Sequence, residues 1–116
     1  MITASFKSNA ELFEVSLNVK GHAGQAEYGK DIVCAAASIL AYTFAQVIES
    51  LGHRLEGEPT INLEAGNTIV ACKCANFKTY VKALSALNYT EVGYSLLAQS
   101  YPQYVEIQPF GKPTEA

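Results

Sequence analysis

The chain has 116 residues, of which 49% are hydrophobic and 16% charged, and carries a formal net charge of -3. A chain of that length suits one domain that buries roughly two thirds of its unfolded surface, and this composition argues against a disordered chain. No Lys/Arg cluster offsets the acidic balance, so a phosphate-binding surface, and with it a direct nucleic-acid partner, is not expected.

In chain order, Ile2 to Phe6 is β-compatible, and Leu12 to Val19 alternates, with Phe13, Val15, Leu17 and Val19 on one face. Ser8-Asn9-Ala10 joins these two strands. Gly21 to Lys30 holds three glycines and no periodicity, which describes a bending loop. Asp31 then suits the N-cap of a helix that runs to about Leu51, with Gly52 at the left-handed position after it. Pro59 to Leu63 and Thr68 to Cys74 flank Glu64-Ala65-Gly66-Asn67 and predict an antiparallel hairpin. Lys78 to about Ala98 has helical period, with Val81, Leu84, Leu87, Leu96 and Leu97 as apolar points and Asn88 and Gly93 as weak ones. Tyr104 to Pro109 supplies a last strand. The order ββαββαβ predicts an α+β fold, a mainly antiparallel five-stranded sheet with two helices, formed by residues 1–110 with a fraying tail at 111–116.

Ile32 to Ile48 is the longest apolar stretch, but it contains Ser38, Tyr42, Thr43 and Gln46 and falls short of the roughly 20 residues that cross a bilayer. It reads as a buried helix. Cys34, Ser38, Ala41 and Ala45 make one stripe of small residues along it, open to close approach by backbone or ligand, while Ile39, Leu40, Phe44 and Ile48 lie elsewhere. A helix apolar nearly all round needs cover on more than one side, which predicts a homodimer. Three cysteines, and an opening Met1-Ile2-Thr3 without a leader pattern, predict free thiols in a reducing cytoplasm.

Three groups of residues carry chemistry. Cys34 sits in the first helical turn, where unpaired N–H groups and the positive end of the helix dipole favour a thiolate and where thiols become nucleophilic at neutral pH. The plainer reading is a small core residue. His22 stands twelve residues earlier on a loop flanked by Gly21 and Gly24 that leads into the helix, so it can fold its imidazole over the thiol as a general base; otherwise it is an exposed loop histidine. Asp31 and Ser38, at i-3 and i+4 from Cys34, project from the side of the thiol. Either can orient His22 or a substrate, although an N-cap and a packing residue are simpler roles, and a carboxylate so near opposes a thiolate.

Gly24 to Lys30 fits the phosphate-loop pattern G-x-x-x-x-G-K, but Asp31 replaces the magnesium-binding hydroxyl and, with Glu27, repels phosphate. Nucleotide binding is set aside. Cys72 and Cys74, two apart on one strand face, could join Cys34 and His53 or His22 around zinc, but lack the spacing of zinc knuckles. His53 more simply faces the helix dipole. Neither a metal nor a cofactor is expected.

Gly21-His22-Ala23-Gly24, followed by Gly29, Asp31, Val33-Cys34-Ala35 and Ser38, closely resembles the ribosomal-processing cysteine protease family Prp. The resemblance implies a bacterial protease that trims a short N-terminal extension from a large-subunit ribosomal protein, the twenty-seventh, next to aromatic residues. It places the catalytic pair on His22 and Cys34, and implies a homodimer with a mobile loop at about Gly21 to Lys30. In such a mechanism Cys34 attacks the scissile carbonyl and His22 moves the proton; the N–H of Cys34 and its first-turn neighbours are candidates for an oxyanion hole whose donors the sequence does not place. The reading from another class is a noncatalytic ribosome-assembly factor that holds a peptide or anion at the helix N-terminus.

Overall fold

The computed structural model describes residues 1–24 and 31–108. The expected tail at 111–116 and most of the Gly21 to Lys30 loop therefore lie outside the described residues. The elements follow the order β1 (Ile2–Asn9), β2 (Glu14–Lys20), α1 (Ile32–Ser50), a 3-10 turn (Gly52–Arg54), β3 (Thr60–Glu64), β4 (Asn67–Lys73), α2 (Phe77–Ser100) and β5 (Val105–Gln108). The strands form one sheet in the order β3-β4-β2-β1-β5. β1, β2, β4 and β3 pair antiparallel, and β5 joins β1 in parallel, so the sheet is mixed but mostly antiparallel.

Alternation sorts the two sheet faces. Ile2, Ala4 and Phe6 of β1, Val15, Leu17 and Val19 of β2, and Val70 and Cys72 of β4 are buried, while Ser5, Ser16, Asn18 and Ala71 between them are partly exposed. Both helices cover the buried face. Tyr94 of α2 shows this: its ring meets Phe6 edge-on at 5.9 Å, and its hydroxyl donates to the Ala37 carbonyl of α1 at 2.6 Å. The α1 helix is long and apolar enough to cross a membrane by composition, with a mean hydropathy of 1.7. Here its Val33, Ala37, Ala41, Phe44, Ala45 and Ile48 are buried in the core, as expected of the apolar stretch.

Three details correct the sequence reading. β1 runs on to Asn9 and β2 begins at Glu14, because the Asn9 side chain accepts the N–H groups of Glu11 and Leu12 and closes a turn there. Phe13 thus leaves the strand with φ 57°, and its ring instead packs on Tyr80 and Phe77 at 5.8 and 6.2 Å. The helix expected to weaken at Asn88 and Gly93 is continuous. At Gly93 a Cβ would come within 2.6 Å of Leu40 Cδ2, so the glycine serves the close approach of α1 and α2. Val81 and Leu96 face outward, and the core stripe of α2 consists of Tyr80, Ala83, Leu87, Tyr94 and Leu97.

Burial raises the Cys72 thiol to about 12, with the neighbouring Cys74 adding to the effect, and burial also raises the Tyr94 hydroxyl. The folded chain therefore keeps protons that the unfolded chain releases above about pH 8.5, where an ordinary thiol titrates, so stability is complete below that pH and falls as pH rises towards 12. Urea unfolding should show this fall between pH 8.5 and 11, with a shallower slope in Cys72→Ala; identical slopes would contradict it.

Candidate active site

Asp31 adopts an extended backbone at the start of α1 and acts as its N-cap. Its Oδ1 accepts the N–H groups of Val33 and Cys34, both at 3.0 Å, and its carbonyl accepts that of Ala35 at 3.1 Å. Capping, the simpler of its two readings, is what these bonds display. The N–H of Cys34, one of the donors considered for an oxyanion hole, is thus bonded to the Asp31 carboxylate. Cys34 is partly exposed at this turn, beside the exposed Ile32 and Ala35.

The segment after β2 is fastened at successive residues. Gly21 N–H donates to the Gly66 carbonyl at 3.0 Å, and the Met1 nitrogen donates to the His22 carbonyl at 2.6 Å. Gly21 has φ 92°, and a Cβ there would run into the Met1 carbonyl, so this close crossing requires glycine. Ala23 is buried, and its N–H donates to Cys34 Sγ at 3.4 Å. Two backbone bonds separate that nitrogen from the His22 Cα, which puts the Cα no more than about 6.3 Å from the sulfur. The imidazole is exposed and rests against Gly66 at the tip of the β3–β4 hairpin.

These pieces border one cleft of about 610 Å³ between the N-terminal half of α1, the Gly21 to Gly24 segment and the hairpin. His22, Cys34, Asp31, Ser38, Gly21 and Gly24, the six residues singled out in the sequence, all line it. The small-residue stripe continues along the cleft from Ser38 to Ala41, while Ala45 lies in the core. Leu63, Glu64, Ala65, Gly66 and Thr68 line it too, and no sequence signal tied them to the site beyond the visible hairpin turn. Cys72 and Cys74 are buried in the core, and His53 lies in the 3-10 turn beyond the far end of α1, which is about 24 Å along the helix from Cys34. Among the described residues no group of three or more His, Cys, Asp or Glu side chains converges as a metal site would require.

The family model of the cysteine protease Prp matches residues 1–106. The chain belongs to this family. It is accordingly a cysteine peptidase, with the α+β architecture described above. Two structures of the essential ribosomal processing protease Prp from S. aureus, each 25% identical, superpose with TM-scores of 0.71 (in complex with a covalently linked product peptide) and 0.68 (with a substrate peptide); both cover 95% of this chain and 99% of theirs. SMU.848 from Streptococcus mutans is 27% identical with a TM-score of 0.65, covering 93% of this chain and 92% of its own. None of the curated proteins matches the chain.

Two measurements probe this arrangement. Iodoacetamide at pH 7.5 should label Cys34 well ahead of Cys72 and Cys74, which should react only in denaturant; equal rates for the three would contradict an open Cys34. Asp31→Asn keeps a capping oxygen and should alter unfolding stability by a few tenths of a kcal/mol, whereas Asp31→Ala should lose about 1 kcal/mol or more.

Proposed function

We propose that this chain is a ribosomal-processing endopeptidase in which Cys34 is the nucleophile and His22 the general base and acid. Its substrate is the N-terminal segment of a large-subunit ribosomal protein, the twenty-seventh, from which it removes a short extension. The observation that carries this reading is the bond from Ala23 N–H to Cys34 Sγ: it draws the residue next to His22 onto the sulfur, at the edge of a cleft roomy enough for an extended peptide. The S. aureus relative, named as a ribosomal processing protease and captured with a covalently linked product peptide, supports both the substrate class and a covalent intermediate.

The chemistry proceeds in two halves. His22 takes the thiol proton, and the Cys34 thiolate attacks the carbonyl carbon of the scissile bond. Collapse of the tetrahedral intermediate breaks the C–N bond, and the imidazolium gives its proton to the departing amine, which is the new N-terminus of the ribosomal protein. The extension is left as a thioester on Cys34. Water, deprotonated by His22, hydrolyses it and restores the thiol. Ala23 N–H, which points at the sulfur, is the donor this reading assigns to the developing oxyanion. Ser38 and Gly24 border the substrate path, and Asp31 holds the helix start in place.

The protease domain spans residues 1–110 and works as a homodimer in the cytoplasm. Ile32, Ile39, Tyr42 and Val47 of α1 and Tyr89, Val92 and Leu96 of α2 are large apolar side chains left exposed on the helical layer, and a second copy of the chain would cover them. Free thiols and a ribosomal substrate suit a reducing compartment.

Incubation with the unprocessed ribosomal protein, followed by mass spectrometry, tests the assignment. The wild-type chain should release the extension, Cys34→Ala should release none, and His22→Ala should be slowed by about 10² to 10⁴. Undiminished cleavage by Cys34→Ala would refute the nucleophile, and an untouched ribosomal protein beside rapid cleavage of other peptides would refute the substrate.

A further inference from the structure

Gly66 lies in the two-residue turn of the β3–β4 hairpin, between Glu64 and Asn67, with φ 79°. That conformation alone explains a glycine. The surroundings add a second reason: a Cβ built at Gly66 would lie 2.5 Å from His22 Nε2, 2.9 Å from Cε1 and 3.3 Å from Cδ2. The outer edge of the imidazole thus fills the space that a side chain at Gly66 would take. The turn also grips the chain at the base of His22, because the Gly66 carbonyl accepts the N–H of Gly21. Backbone and side-chain contacts from one residue therefore fix both ends of the path from the Gly21 amide to the ring.

We propose that Gly66 is a positioning residue for the His22 imidazole, acting through the absence of a side chain. The proposal rests on the reading of His22 as general base, and extends the catalytic apparatus to a hairpin tip distant in sequence. A methyl group at Gly66 must displace the ring by an ångström or more, and such a misplacement of a catalytic group costs about a hundredfold in rate. Substrate binding along the rest of the cleft is untouched by it.

The test must separate displacement of the ring from strain at positive φ. Gly57 supplies the control, since it has nearly the same φ of 78° and nothing within 4 Å of its virtual Cβ. Gly66→Ala and Gly66→Asn, the latter better tolerated at positive φ, are compared with Gly57→Ala and Gly57→Asn by peptide cleavage kinetics, thermal unfolding and NMR of the two imidazoles. The Gly66 variants should lower kcat between 10- and 100-fold with KM within twofold, and should shift the His22 ring resonances while those of His53 stay fixed. The Gly57 variants should share their loss of stability but keep kcat and both spectra. Unmoved His22 resonances in the Gly66 variants, or an equal fall of kcat in the Gly57 variants, would overturn the proposal. The NMR arm needs no catalysis, so it reads the seat independently; loss of the general-base assignment would appear instead as full activity in His22→Ala.

Discussion

The start of α1 exposes backbone N–H groups that need partners, and Asp31 supplies them to Val33, Cys34 and Ala35 with its carboxylate and carbonyl. This cap fixes the phase of the helix, so that Cys34 opens on the cleft while Val33 and Ala37 on either side of it are buried. Were the helix to begin one residue later, the thiol would rotate by about 100° away from the cleft. The site depends on that phase more than on any other feature of the chain.

A second set of constraints brings the backbone next to His22 to the sulfur. β2 ends at the edge of the cleft, and the segment beyond it is tied to Gly66 through Gly21, to Met1 through His22 and to Cys34 through Ala23. Two of these bonds end on main-chain carbonyls and the third on the Cys34 sulfur, and each is modest alone. Together they hold a short glycine-containing segment across the mouth of the cleft without a regular element. The sheet contributes the anchor, since β1 and the β3–β4 hairpin stand on opposite sides of β2 in the order β3-β4-β2-β1-β5.

Much of this was legible in the sequence where local chemistry dictates the outcome. The Asp31 cap, the left-handed Gly52, the hairpin around Ala65-Gly66 and the alternation of Val15, Leu17 and Val19 follow from rules that act over a few residues, and the structure shows each of them. Spacing alone left His22 open between a partner for Cys34 and an exposed loop histidine; it is exposed, and it borders the same cleft as Cys34. Features set by tertiary contact could not be anticipated. Phe13 leaves its strand because of a side-chain turn at Asn9, Gly93 answers to Leu40 of the other helix, and the hairpin reaches the site only because β4 pairs with β2. The oxyanion donors were not legible at all, since sequence does not show which N–H groups a helix cap such as Asp31 takes up.

The account turns on a covalent bond between the substrate's acyl carbon and one sulfur. A substrate-like peptide bearing a chloromethyl ketone in place of the scissile amide alkylates the attacking sulfur through its methylene carbon, with loss of chloride, and fragmentation mass spectrometry then maps the stable thioether. The account predicts one adduct per chain, on Cys34, with loss of peptidase activity in step with its formation. Inactivation accompanied by an adduct on Cys72, Cys74 or another side chain, with Cys34 unmodified, would contradict it.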